Sequence, residues 1–148
     1  MSHVRGDIYI DRSPAEVFDF VADERNEPLF NPSMISVALV TDEPIAAGSV
    51  FDATALSRGK PVPMTVRFTE FERPTRLCSQ SRISGLTLTG GLTFTPEGGG
   101  TRMAWDWDVR APGVLRLASP LISAAGRRQE RRIWTALKSH LEGVHTAT

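Results

Sequence analysis

The sequence has one cysteine, no net charge and no long hydrophobic run. Among its 148 residues, Cys78 is the only cysteine, which excludes an internal disulfide and is typical of a reducing compartment. Lys plus Arg total 17 and Asp plus Glu total 17, so no field of one sign favours nucleic acid or anionic lipid. No apolar run approaches the roughly 20 residues of a membrane span, and no signal-peptide pattern opens the chain. We therefore expect a cytoplasmic protein with no nucleic-acid partner and no membrane insertion.

Histidine is also scarce. The three histidines, His3, His140 and His145, lie near the ends of the chain, and a separation of five places the last two on different faces of a helix. This spacing argues against a histidine metal site or a catalytic triad, so we expect no metal and no cofactor. Cys78 has no histidine near it in the sequence, which favours inert packing over a nucleophilic role.

The beginning of the chain predicts a strand followed by a helix. Residues 4–11 alternate between apolar and polar positions, as in a half-buried strand. Ser13 is typical of an N-cap, Pro14 of the first helical residue and Glu16 of the last position of a capping box. A second short segment that contains Phe30 follows and is stopped by Pro32.

The middle of the chain predicts six consecutive strands, rich in β-branched or aromatic residues and separated by turn formers. Their sequences are "MISVALVTD", "GSVFDATALS", "VPMTVRFTEFE", "TRLCSQSRIS", "GLTLTGGLTFTPE" and "TRMAWDWDVR". With the opening strand they make a seven-stranded antiparallel sheet. Gly98–Gly100 are expected to form a hairpin turn and not a phosphate cradle, because no helix follows. Gly90 and Gly91 interrupt a strand and indicate a bend rather than direct ligand contact.

The end of the chain predicts one long helix. Ser119 and Pro120 suit its cap and first turn, and apolar residues then recur at helical spacing. Pro120 leaves open whether residues 114–118 form an extra turn or a separate arm. The length suits a single domain over residues 1–148, and the expected order is strand, two short helices, six strands and one long helix.

These elements predict an α+β fold in which a curved sheet wraps around its terminal helix. A helix of about 25 residues can cross one sheet face diagonally. A strongly curved sheet cannot touch that helix everywhere, so side chains, other elements or a ligand must fill the gap. The two short helices are expected to plug one end of it.

The motifs "SPAEVFDFVAD", "GVLRLASPLI" and "RRIWTALKSHLE" resemble those of the START-like (SRPBCC, helix-grip) superfamily, in its polyketide cyclase and dehydrase-like branch. The resemblance covers nearly the whole chain, and its motifs are specific for the fold rather than for a reaction. Phe30 stands where many members have tryptophan, which concerns only the shape of the pocket end. The resemblance implies a cavity between sheet and helix for a lipid-like, aromatic or polyketide-like molecule.

Strand alternation and the apolar face of the terminal helix indicate which residues would line the expected cavity. In "RMAWDWDVR" one face carries Met103, Trp105 and Trp107, and two tryptophans two residues apart suit an aromatic ligand. A role in core packing alone explains each of these residues about as well as a role in lining a cavity does. The predicted ligand-binding residues are Phe30, Phe51, Met64, Val66, Phe68, Leu88, Leu92, Phe94, Met103, Trp105, Trp107, Leu121, Ile122 and Ala125.

Three ionisable residues are weak catalytic candidates. Glu130 interrupts the inner stripe of the long helix, and a buried position would raise its pKa and make it a general acid or base. The alternative is a surface ion pair with a neighbouring arginine. Asp52 and Arg82 lie on strands, facing either outward or toward a polar ligand group. Four arginines between residues 127 and 132 are expected to form a solvated helix face.

Three functions remain open at this point. The first is binding of a hydrophobic small molecule in the cavity between sheet and helix. The second is a cyclase or dehydrase that holds a flexible chain in the same cavity and moves a proton. The third is a ligand-free interaction protein with a filled core and an exposed apolar patch at Val114, Leu115 and Leu117. The oligomeric state is not predicted.

Overall fold

The computed structural model describes residues 2–113 and 119–146. The described residues contain seven strands, two α-helices and one 3₁₀ helix, in the predicted order. The elements are β1 (Ser2–Ile10), α1 (Pro14–Ala22), the 3₁₀ helix (Glu24–Leu29), β2 (Met34–Leu39), β3 (Val50–Ser57), β4 (Lys60–Glu72), β5 (Arg76–Ile83), β6 (Leu86–Glu97), β7 (Gly100–Arg110) and α2 (Ser119–Thr146). The predicted arm at residues 114–118, with Val114, Leu115 and Leu117, lies outside the described residues, as does the side chain of the predicted cap Ser119.

The strands form one antiparallel sheet in the order β1-β7-β6-β5-β4-β3-β2. Strands β2 to β7 are a meander, and β1 returns to pair with β7. Register shifts interrupt the ladder between Met34 and Ser36 and between Phe68 and Glu70, where extra residues increase local bending and twist. The predicted seven-stranded curved sheet with a C-terminal helix is confirmed.

The cap of α1 forms as its sequence predicts. The hydroxyl of Ser13 accepts the backbone N–H of Glu16 at 3.3 Å and donates to the Glu16 carboxylate at 3.2 Å. The carboxylate therefore pairs with the cap hydroxyl rather than with the cap backbone N–H. Val17 and Phe18 are completely buried on the inner face, where the Phe18 ring packs edge-on against Phe94 with centroids 5.3 Å apart. The helix thus plugs one end of the sheet.

The second short helix is a 3₁₀ helix at the edge of the sheet, packed against β2. Asp23 caps its N-terminal end by accepting a hydrogen bond from the backbone N–H of Arg25 at 3.1 Å. At its C-terminal end, the backbone N–H of Phe30 donates to the carbonyl oxygen of Glu27 at 3.1 Å. Phe30 is buried whereas Leu29 is 60% exposed. The segment therefore has one face toward the protein interior and one toward solvent.

Helix α2 approaches the sheet most closely along β1. A Cβ atom added at Gly126 would lie only 2.8 Å from a methyl carbon of Val4, so glycine is what permits this approach. Arg131 and Lys138 each donate to a backbone carbonyl of β1 at 2.8 Å. The helix is thus fixed to the edge of the sheet that is farthest from β2.

The two glycines in β6 allow its backbone to pack closely against the backbones of β5 and β7. A Cβ at Gly90, where φ is +142°, would lie 2.0 Å from the carbonyl oxygen of Asp106, and one at Gly91 would lie 2.3 Å from that of Leu77. The register of β6 with both neighbours continues through this point, so no bulge forms. The two glycines let β5, β6 and β7 approach at the centre of the sheet.

We expect Gly90→Ala to destabilise the protein by about 2 kcal/mol or more, since the new methyl group collides with a backbone carbonyl and the φ value disfavours it. Gly143→Ala is the matched control, because a Cβ there meets nothing within 4 Å and alanine favours a helix. Thermal and urea unfolding measure both. Equal stability of the two variants would contradict the close approach at β6.

Candidate functional site

A cavity of about 230 Å³ separates α2 from strands β3 to β6. For comparison, an apolar cavity of about 150 Å³ in another protein holds benzene. The space therefore accommodates a small ring system. The sheet and the helix stand apart here because α2 is held against β1 at the opposite side of the sheet.

The sheet side of the cavity is built from alternate residues of neighbouring strands. The lining includes Met64, Val66 and Phe68 of β4 and Leu88 and Leu92 of β6. Strand β5 adds two apolar and two hydroxyl side chains, all at alternate positions; these are Leu77, Ser79, Ser81 and Ile83. This pattern identifies the inward face of the central strands, which the sequence left open.

Seven of the predicted ligand-binding residues line the cavity, namely Phe30, Met64, Val66, Phe68, Leu88, Leu92 and Trp107. Four others are buried in the hydrophobic core beyond it; they are Phe51, Phe94, Met103 and Trp105. Leu121 is 73% exposed and Ala125 is exposed as well, because this part of α2 turns them to solvent. The side chain of Ile122 lies outside the described residues.

Trp105 illustrates how a predicted wall residue becomes core. Its indole lies over Gly6 of β1, where a Cβ would come within 2.4 Å of the ring. The guanidinium of Arg131 covers the ring with its carbon 5.2 Å from the centroid, a cation–π arrangement. The neighbouring strand and α2 therefore enclose Trp105 and leave Trp107 as the β7 residue that lines the cavity.

Glu130 is the carboxyl that α2 contributes to the cavity. Its Oε2 accepts the indole N–H of Trp134, one turn along the helix, at 2.5 Å. Burial raises the pKa of Glu130 to about 7; the Glu27 charge adds to the rise, while the indole N–H groups of Trp134 and Trp107 oppose it. A carboxyl in this state is able to donate or accept a proton near neutral pH.

The other two catalytic candidates point away from the cavity. Asp52 is exposed on β3, between the buried Phe51 and Ala53, and Arg82 is exposed on β5, next to the inward Ser81. Strand alternation places both on the outer face of the sheet. Neither side chain reaches the cavity, so these two predictions do not fit the structure.

The indole N–H of Trp107 is a second polar group at the cavity. The nitrogen is completely buried and makes no hydrogen bond of acceptable geometry among the described residues, although it lies near enough to the Glu130 carboxyl to lower the pKa of that group. A buried donor without a partner costs free energy, about 1–3 kcal/mol in proteins.

Two further carboxyls, which the sequence analysis missed, come from the 3₁₀ helix. Glu24 and Glu27 line the cavity together with Asn31, whose amide donates to Glu27 at 2.9 Å. Burial and the neighbouring Glu27 raise the pKa of Glu24 well above its usual range, and burial also raises that of Glu27. In the sequence these glutamates belong to a polar stretch with the composition of an exposed turn.

Cys78 lies on the outer face of β5, where burial raises the pKa of its thiol. It therefore stays protonated near neutral pH, in keeping with the predicted packing role. In the described ranges, no group of three or more His, Cys, Asp and Glu side chains is placed to hold a metal ion. Across the same ranges, no helix is both long and apolar enough to cross a membrane.

A curved sheet that packs around one helix, with a lined cavity between them, defines the helix-grip fold. A family model described as "Polyketide cyclase / dehydrase and lipid transport" matches residues 1–142. The chain belongs to this family. A search of curated proteins returned no significant match.

Solved structures with the same fold include proteins of several kinds. A START superfamily protein from Mycobacterium smegmatis superimposes with a TM-score of 0.81 at 13% identity, covering 97% of this chain and 99% of that one. Zhui aromatase/cyclase from a Streptomyces species gives 0.77 at 15% identity, covering 95% and 93%. TTHA0849 from Thermus thermophilus gives 0.81 at 20% identity, covering 96% and 98%. At these identities the likeness establishes the fold alone.

The raised pKa of Glu130 predicts a pH-dependent cost in stability. The folded state holds this proton more tightly than the unfolded state, so the contribution of Glu130 to stability is most favourable below about pH 4.5 and becomes less favourable as pH rises toward 7. We expect Glu130→Gln, which keeps an acceptor for Trp134, to be more stable than the unsubstituted protein by about 2–3 kcal/mol at pH 8. At pH 4 the two should differ little.

Urea unfolding at pH 4, 6 and 8 measures this difference, with Glu72→Gln on the exposed face of β4 as the control. The control removes a carboxyl of the same kind away from the cavity. A stability gain for Glu130→Gln that is the same at every pH would show that Glu130 is not desolvated.

Proposed function

We propose that the protein binds a hydrophobic small molecule in the cavity between α2 and the sheet. The observation that carries this proposal is the space itself, about 230 Å³ with mostly apolar walls and several polar groups among them. Such a combination is typical of small-molecule sites. A ligand that buries about 200 Å² of apolar surface gains roughly 5 kcal/mol before the costs of association.

The cavity reaches the surface between the 3₁₀ helix, β3 and α2. Leu56, which lines it, is 39% exposed, and Gln129 on α2 is exposed as well. A ligand can therefore enter without separating the sheet from α2. An open cavity also speaks against the filled core that a ligand-free interaction protein would have.

The placement of Glu130 favours a second candidate, proton transfer of the cyclase or dehydrase type. In a poly-β-ketone, the Glu130 carboxylate would take a proton from an activated methylene carbon. The resulting enolate attacks a ketone carbonyl of the same chain and forms a carbon–carbon bond. The alkoxide so formed takes the proton back from the Glu130 carboxyl, with Trp107 placed to donate its N–H. The step needs no other reactant, and a pKa near 7 suits both proton transfers.

Binding can be tested with 1-naphthylmethanol, a neutral two-ring probe, by calorimetry. We expect Leu88→Trp to weaken binding by about tenfold or more, because the larger side chain extends into the cavity. Thr89→Trp is the matched control, since Thr89 is exposed on the other face of the same strand. Equal affinities of these two variants, or no binding to the unsubstituted protein, would refute the proposed site.

Catalysis can be tested by turnover of a poly-β-keto thioester mimic. If Glu130 transfers the proton, Glu130→Gln should lower kcat by about 100-fold or more while leaving the affinity for the mimic nearly unchanged. Glu72→Gln should retain full turnover. Equal rates for Glu130→Gln and the unsubstituted protein would exclude Glu130 from the chemistry and leave binding as the function.

A further inference from the structure

We propose that the cavity is selective for a hydrophobic ligand with a protonated amine and rejects ligands with a carboxylate. This inference rests on the proposed function, because it concerns the same cavity. Its basis is the charge of the lining, which includes four acidic side chains and, among the described residues, no lysine, arginine or histidine. The four are Asp23, Glu24, Glu27 and Glu130.

Among the described residues, no cation balances three of these carboxyls. Asp23 is paired with Arg25 through two contacts of 2.8 and 2.9 Å, whereas no basic group affects Glu24, Glu27 or Glu130 in the described part of the chain. They come from two elements, the 3₁₀ helix and α2, and act on one another across the cavity. Enclosed carboxyls of this kind are stabilised by an ammonium group and destabilised by a second anion.

Aromatic faces surround the same end of the cavity. The ring of Phe30 lies 6.0 Å from that of Phe20 and 6.2 Å from that of Trp134, centroid to centroid, and all three residues line the space together with Trp107. Aromatic rings attract cations through their negative faces, more strongly where water is excluded. The rings and the carboxyls therefore favour the same ligand charge.

The indole N–H of Trp107 lies beside the Glu130 carboxyl without forming a hydrogen bond of acceptable geometry among the described residues. This nitrogen is wholly buried and requires an acceptor, which an ammonium group cannot supply. A ligand that suits both the carboxyls and the indole N–H has an amine that binds the carboxyls and a nearby oxygen or other acceptor for Trp107. The chemical class is thus an aromatic or aliphatic amine with an acceptor group, small enough for about 230 Å³.

Three probes of the same ring system separate the charges: 1-naphthylmethylamine, 1-naphthylmethanol and 1-naphthoic acid. At pH 7.5 we expect calorimetry to give the tightest binding for the amine, about tenfold or more tighter than the alcohol, and the weakest for the acid. If the alcohol binds as well as the amine, or if the acid binds tighter than the alcohol, the inference is wrong and the cavity proposal stands. If none of the three binds, both proposals fail.

Substitution of the 3₁₀-helix carboxyls tests their role. Glu24→Gln with Glu27→Gln should reduce the preference for the amine over the alcohol by about tenfold. Glu72→Gln, an exposed position on β4, should not change this preference. Thermal unfolding reports whether the double variant folds, and the three-probe comparison on the unsubstituted protein decides the inference in either case. An unchanged amine preference in a folded double variant would contradict it.

Discussion

The cavity depends on the contact between α2 and β1. Because Gly126 has no side chain, the helix can lie against Val4, and Arg131 and Lys138 fasten it to backbone carbonyl groups of the same strand. The sheet curves around the helix, but because the helix is held at one edge, the strands farther from that edge lie away from it. The volume over β3 to β6 is therefore a geometrical result of where the helix is attached, and the side chains there need only be small enough to leave it open.

The two sides of the cavity contribute different chemistry. The strands supply mostly apolar side chains, with the hydroxyls of Ser79 and Ser81 on β5 among them, because alternation exposes one row of each strand to the interior. The carboxyls come from the helical elements, with Glu130 on α2 and Glu24 and Glu27 on the 3₁₀ helix. The strands thus determine mainly the shape of the cavity, and the helical elements determine its charge.

Local patterns predicted the elements and the inner face of the last strand, whereas the inward face of the central strands stayed open and the cavity was implied by the family resemblance. The cap at Ser13 and the alternation in the last strand needed only neighbouring residues, so they were readable from the sequence. Phe94 could not be separated from Leu92 in this way, because strand parity gives the face but not the element that covers it, and Phe18 of α1 fills the space over Phe94. The position of Glu24 at the cavity depends on strands and a helix distant in sequence, which a polar stretch does not reveal.

The 3₁₀ helix has a consequence for how such a domain diversifies. Its six residues contribute two of the carboxyls in the cavity, yet its other side, with Leu29, is open to solvent and it packs chiefly on the edge strand β2. Few core contacts depend on the identity of its side chains. Substitutions in this one short surface segment could therefore change the charge of the cavity lining without altering the sheet or α2.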